Sequence, residues 1–305
     1  MKPRYVWKLF IAIFLVMAVT LGGGASLPDP FLMGENYRED GWNNNRGYSD
    51  VNSKTLRITP INAQERTLVL ITSGQSNMAS VGPSSYVPTN ASKVDNLSIY
   101  DGAIYATADP LIGQTYAPDY GVGSIPPRIA DKLITGVKFD RVILVPVASG
   151  GSSIAMWAPG GPLYMRHCVA MHRLAARGIV PGMPGVTFAL VWGQGESDAG
   201  TAQATYQTRF GQIVTKLKNC PNLASQFNGR IFITKQTMLS NVVNATTQAA
   251  QVALIDNVSI FSGGDIDALT GGTNRIADGT HLTATGQANA ATAIYNAMVA
   301  SGAPF

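Results

Sequence analysis

Apolar residues fall in short unbroken runs along the chain, separated by polar and glycine-rich stretches. Leu68 to Thr72, Arg141 to Val147, Val186 to Trp192, Arg230 to Thr234 and Val258 to Phe261 are each of strand length. Arg141 to Val147 is almost continuous in Val, Ile and Leu, which predicts a strand covered on both faces. Between these runs the period changes. Tyr206, Phe210, Ile213, Val214 and Leu217 recur at helical spacing and share one face. Ile125 to Ile134 opens with Pro126-Pro127, where a first helical turn tolerates proline, and Leu163 to Arg177 stops at Gly178. Ala245 to Asp256 reads as a further helix, and Thr283 to Val299 carries Ala288, Ala291, Ile294, Tyr295 and Met298 on the last one. Strands alternating with helices predict the α/β class: three layers, α/β/α, around a central and mostly parallel five-stranded sheet. Ligands of such sheets bind beyond the carboxyl ends of the strands.

The pattern breaks down in two places. Residues 26–66 are rich in Asn, Asp, Gly and Arg and lack a long apolar period, so they read as a lead-in that wraps the domain spanning 67–305. Residues 83–123 hold many Pro, Gly, Tyr and Asp and read as a long excursion over the strand ends. At the start, Lys2, Arg4 and Lys8 precede an uncharged run from Leu9 to Leu21 and the small residues Gly23-Gly24-Ala25. That is the form of an export signal over residues 1–25. The run falls short of the roughly 20 residues a spanning helix needs, so the expectation is a secreted or periplasmic protein without a stable membrane anchor.

Composition narrows the partner. Of 305 residues, 46% are hydrophobic and 13% charged, which suits one larger globular domain. The net charge of +4 owes much to Lys2, Arg4 and Lys8; the remainder is close to neutral and has no Lys/Arg cluster for nucleic acid. An uncharged small molecule or glycan is the expected partner. The two cysteines, Cys168 and Cys220, fit an exported protein with one disulfide, or two buried thiols. Cys168 and His172 would also share a helix face as a metal-ligating pair, but the chain has no CxxC or matching cluster, and structural zinc takes four ligands. Trp157, Tyr100, Tyr105, Tyr116 and Tyr120 supply either a sugar-facing wall or core.

The chemistry-bearing residues sit where the strands stop. Leu68-Val69-Leu70-Ile71-Thr72-Ser73 ends at Gly74, and Ser76 follows after Gln75. Strand, tight turn and helix together lift a serine hydroxyl clear of a sheet edge. A nucleophilic serine needs a base, and the chain has three histidines. His167 and His172 lie within a helix, where imidazole is usually packed or solvated. His281 lies in a Gly/Thr loop, three residues after Asp278, so the carboxylate can fold back on Nδ1–H and leave Nε2 facing Ser76. Two further segments offer hydrogen-bond donors: Ala148-Ser149-Gly150-Gly151-Ser152-Ser153 after the second strand, and Trp192-Gly193-Gln194-Gly195-Glu196-Ser197-Asp198 after the third.

The runs GQSNM at Gly74 to Met78, GGSSIAMW at Gly150 to Trp157, WGQGESD at Trp192 to Asp198 and DGTH at Asp278 to His281 resemble the successive blocks of SGNH hydrolases. Within that superfamily they are most similar to the sialate O-acetylesterase and acetylxylan esterase group. The resemblance covers residues 67–300 and leaves the lead-in out. It implies a flavodoxin-like sheet and an exported serine esterase that removes O-acetyl groups from a carbohydrate, with no cofactor or metal. Ser76 would be the nucleophile, His281 the base and Asp278 its orienter. The oxyanion donors would be the Ser76 N–H, the Gly150 N–H (with Gly151 as the alternative) and the Gln194 amide, glutamine being the residue of this group. Glu196, Gln75 and Asn77 would brace the site or meet the substrate. The competing readings are a lipase- or thioesterase-like enzyme on small acyl esters, and a carbohydrate-binding protein that has kept the fold without the chemistry.

Overall fold

The computed structural model describes residues 49–57, 61–115, 119 and 121–305. The expected export signal and most of the lead-in lie outside the described residues. Among the described residues, no helix is long and apolar enough to cross a membrane.

The sheet has seven strands: β1 (Thr67–Gly74), β2 (Val94–Leu97), β3 (Ile104–Ala106), β4 (Arg141–Pro146), β5 (Val186–Gly193), β6 (Arg230–Lys235) and β7 (Ile260–Asp265). Their order is β3-β2-β4-β1-β5-β6-β7. All pairs are parallel except β2 with β3. The five runs expected as strands correspond to β1 and β4–β7, the last shifted so that it shares only Ile260 and Phe261 with the expected Val258–Phe261, and the count of five is corrected to seven because β2 and β3 lie inside the excursion after β1. At 4 and 3 residues they are too short for an apolar period to register among prolines and glycines.

Every residue of β1 is buried. Side chains alternate between faces with the pleat. Leu68 and Leu70 of β1, Val142 and Leu144 of β4, and Ala189 and Val191 of β5 share one core with α1 (Pro126–Thr135) and α7 (Ala284–Ala300). On the other face Trp192 of β5 packs edge-on against Trp157 and against Phe210 of α4 (Gln203–Leu217). Between β4 and α4 lie the short α2 (Ile154–Trp157) and α3 (Arg166–Ala176), followed later by α5 (Ala245–Ala253) and the single turn α6 (Gly271–Asn274). Thr283 caps α7 by accepting from the Gly286 N–H at 3.0 Å. Along α7, Ala290, Ala291, Ile294 and Met298 are buried, whereas Ala288 is exposed.

Strand β1 lies between β4 and β5, and successive connections leave it toward opposite edges, which makes its carboxyl end the switch point of the sheet. There Gly74 has φ +124°, and a Cβ on it would fall 1.9 Å from the Gly193 carbonyl oxygen, so only glycine lets the ends of β1 and β5 meet. The described part of the lead-in runs along β3, with the Ala106 N–H donating to Thr55 and the Arg57 N–H to Ile104, both at 2.8 Å. This covers an otherwise open sheet edge.

Cys168 of α3 is bonded to Cys220 beyond α4, which resolves the choice between disulfide and thiols and leaves Cys168 no thiolate for a metal. The bond closes a loop with a sequence separation of 52. Chain-entropy reckoning for that length gives roughly 4 kcal/mol. A Cys168→Ser/Cys220→Ser variant is expected to lose about that much in urea unfolding. An unchanged midpoint would show that the cross-link contributes nothing.

Candidate active site

Beyond Gly74 the chain makes one 3₁₀ turn, Ser76–Met78, where a helix was expected. The turn places Ser76 at the mouth of the site, 8% exposed, while Gln75 and Asn77 point inward and are more deeply buried. The Asp278–His281 loop precedes α7 and folds back on itself. Oδ1 of Asp278 accepts the backbone N–H groups of Thr280 at 2.8 Å and His281 at 2.9 Å. Its Oδ2 lies 2.6 Å from His281 Nδ1, and His281 Nε2 lies 2.9 Å from Ser76 Oγ. Residues 205 apart in sequence thus meet as a continuous line of hydrogen bonds.

The protonation pattern follows from what each atom can do. Burial pushes the Asp278 carboxyl up, but the Thr280 N–H, the imidazole and the His281 N–H outweigh it and hold it below its ordinary value. The ionised carboxylate can only accept, so Nδ1 carries the imidazole proton and Nε2 is left to accept from the Ser76 hydroxyl.

A second Ser–His pair lies deeper. His167 Nε2 is 2.8 Å from Ser73 Oγ, with the ring between Trp157 and Trp192. Burial, reinforced by Arg166, pushes this imidazole down to about 3. It is a neutral packing group beneath the site. Trp157 and Tyr105 are likewise core, Tyr105 with its hydroxyl on Asp101. Tyr116 and Tyr120 lie outside the described residues.

The expected oxyanion donors are arranged differently from the sequence reading. The Gly150 N–H already donates to the Thr115 hydroxyl at 2.9 Å. The Gln194 amide is fully buried and gives its hydrogens to Asp198 Oδ2 and to the Ser152 carbonyl at 3.0 Å, with Gln75 Oε1 at 3.4 Å. Neither group is open as the chain stands, because each has an acceptor from another segment. Among the described residues, the N–H groups of Ser76 and Gly151 donate to no acceptor, and Gly151 is exposed with open space around its Cα. Gln75 ties the Ser76 turn to the β5 loop through Ser197 N–H at 3.2 Å.

Asn77 and Glu196 are joined directly, Nδ2 to Oε1, at 2.8 Å. Glu196 is buried, which pushes its carboxyl up to about 7 against the hydrogen bonds it receives. Three contributors escaped the sequence reading. Arg275 spreads its guanidinium over the carbonyls of Leu269, Ile266 and Thr280 beside the histidine, Thr115 engages Gly150, and Gln236 donates to Glu196 at 3.0 Å. Only for Arg275, three residues before Asp278, did sequence proximity offer a signal.

A family model described as carbohydrate esterase, sialic acid-specific acetylesterase, matches residues 66–300. No curated protein sequence matches the chain. Among solved structures, a protein of Arabidopsis thaliana is similar at 20% identity, with 76% of this chain and 98% of that one covered and a TM-score of 0.59. NanS is similar at 17% identity, with 79% and 98% covered and a TM-score of 0.54. These likenesses show the shared fold.

Proposed function

The chain belongs to the sialic acid-specific acetylesterase family of carbohydrate esterases and is a carboxylic ester hydrolase; we propose that it removes O-acetyl groups from a carbohydrate through an acyl-serine on Ser76. One observation carries this reading: the hydrogen-bonded line from Ser76 Oγ through His281 to Asp278, at 2.9 and 2.6 Å. Ser76 Oγ attacks the ester carbonyl carbon as His281 Nε2 takes the hydroxyl proton. The tetrahedral oxyanion is met by the Ser76 N–H and, in our assignment, by the Gly151 N–H rather than that of Gly150. As the carbonyl re-forms, the sugar oxygen leaves with the proton from His281. Water then repeats the sequence on the acetyl-serine and releases acetate. Asp278 keeps the imidazole in the required tautomer throughout. Gln194 would enter only by giving up Asp198 or Ser152, so we assign it to holding the β5 loop. Metal and cofactor have no step in this scheme.

Acetate release from a panel of acetylated xylan, pectin, chitin fragments and sialic acids tests the substrate class. On 4-nitrophenyl esters kcat/KM for acetate is expected to exceed that for butyrate by about tenfold or more. A preference for butyrate would favour the lipase- or thioesterase-like reading. We further propose export, supported by residues 1–25 and by a disulfide suited to an oxidising compartment. Fractionation that finds the full-length chain in the cytosol would refute this.

A further inference from the structure

We propose that Asn77, held in place by Glu196, is the positioning residue that sets the distance between Ser76 and His281. The inference rests on the esterase reading above and goes beyond the three residues of its hydrogen-bonded line.

The side chain of Asn77 grips the peptide groups on both sides of His281. Its Nδ2 donates to the Thr280 carbonyl at 3.1 Å, and its Oδ1 accepts the Leu282 N–H at 3.2 Å. The second Nδ2 hydrogen goes to Glu196 Oε1 at 2.8 Å. This assignment of the amide is determinate, since turning it over would set its oxygen against two acceptors and its NH2 against a donor. Asn77 is also the residue next to Ser76 in the chain. One side chain therefore fixes the imidazole's backbone relative to the nucleophile's backbone, across the 205 residues that separate Asn77 from Leu282.

Further anchors of the histidine loop among the described residues lead elsewhere. The Ser240 N–H donates to Thr280 Oγ1 at 2.8 Å and the Asn241 N–H to the Gly279 carbonyl at 2.9 Å. Arg275 bonds Thr280 and Ile266. These contacts tie the loop to the β6 and β7 side of the sheet, whereas Asn77 ties it to the end of β1.

Glu196 is built as the holder of Asn77. It comes from the β5 loop, is almost fully buried, and receives both Asn77 and Gln236 on the same oxygen. Its other oxygen, Oε2, is buried without a hydrogen-bond partner among the described residues. An unpartnered carboxylate oxygen in the interior is costly, and packing alone would be better served by an apolar side chain. What Glu196 adds is one buried acceptor oxygen shared by the Asn77 and Gln236 amides, which leaves Asn77 a single orientation. The charged groups acting on Glu196 are Asp267, which raises its pKa, and Arg275, which feels its charge.

The test is a double-mutant cycle on the full chain, read as kcat and KM on 4-nitrophenyl acetate, with near-ultraviolet circular dichroism to verify folding. Misplacing a catalytic group by about 1 Å costs on the order of 10²-fold, so Asn77→Ala should lower kcat by about that factor with KM little changed. Glu196→Ala should also lower kcat, and Glu196→Gln, whose carbonyl can still accept from Asn77, should restore most of the loss. In the Asn77→Ala background Glu196→Ala should cost almost nothing more, because Glu196 acts through Asn77. Independent losses that multiply would overturn the proposal, as would a folded Asn77→Ala with wild-type kcat. Should Asn77→Ala not fold, Asn77→Ser takes its place in the same cycle with the same two readings. An inactive wild type overturns the esterase reading and this inference with it; an active wild type with an equally active Asn77 variant overturns this inference alone.

Discussion

Replacing Ser76 with alanine is expected to lower kcat for an acetyl ester by roughly 10⁶-fold and to abolish labelling by a fluorophosphonate. The size follows from the role: without the hydroxyl no acyl-enzyme forms, and only the oxyanion donors and substrate binding remain. The variant has a built-in control, because the chain holds a second Ser–His pair with nearly the same separation, Ser73–His167 at 2.8 Å against Ser76–His281 at 2.9 Å. Distance alone does not choose between them; environment does. Ser73 is fully buried within β1, and burial drives the His167 imidazole down to about 3, too weakly basic to activate a hydroxyl near neutrality. His281 is open to solvent on one side and has an ionised carboxylate on its Nδ1. Ser73→Ala should therefore keep fluorophosphonate labelling. If Ser73→Ala lost the label and Ser76→Ala kept it, the nucleophile would have been misassigned.

The two pairs also show where the sequence could be read and where it could not. Ser76 stood out because an apolar strand stops at Gly74, and His281 because a carboxylate lies three residues before it. Both are local signals, and both residues lie where such signals put them. Four of the five apolar runs marked β1, β4, β5 and β6 for the same reason, since residues buried on two faces leave a continuous trace, whereas β7 is an edge strand only partly buried. Strands β2 and β3 left none, being held by partners rather than by their own pattern; Asn96, for example, spends its side chain on Ile112. The donors were harder still. Whether the Gly150 N–H is open depends on Thr115, 35 residues away, and no local feature of Gly150 reports that. For Gln194 the partner Asp198 is only 4 residues on, but a glycine-flanked amide looks the same in sequence whether it faces a substrate or its own loop. Spacing reveals which residue types reach the edge of the sheet. Which of their hydrogens remain unspent is decided by tertiary contacts.

Changing Asp278 to asparagine is expected to lower kcat by about 10⁴-fold, a large loss that still leaves it roughly 10²-fold above Ser76→Ala. The direction follows from how the loop would hold an asparagine. Oδ1 of Asp278 accepts two backbone N–H groups, from Thr280 at 2.8 Å and His281 at 2.9 Å. An amide has one oxygen, and those two donors claim it, so the NH2 must take the place of Oδ2 and face His281 Nδ1. A donor there drives the imidazole proton to Nε2, where it confronts the Ser76 hydroxyl instead of accepting from it. The loop stays folded while the base carries its proton on the wrong nitrogen. Asp278→Ala lacks that opposing donor and leaves the tautomer to solvent, so its kcat should not fall below that of Asp278→Asn unless the two freed N–H groups let the loop collapse. Thermal unfolding of both variants separates these effects: Asp278→Asn should melt close to wild type, and Asp278→Ala lower. A loss for Asp278→Asn equal to that of Ser76→Ala would mean that the carboxylate does more than orient the ring, and a loss under about tenfold would mean that the ring is held by something else.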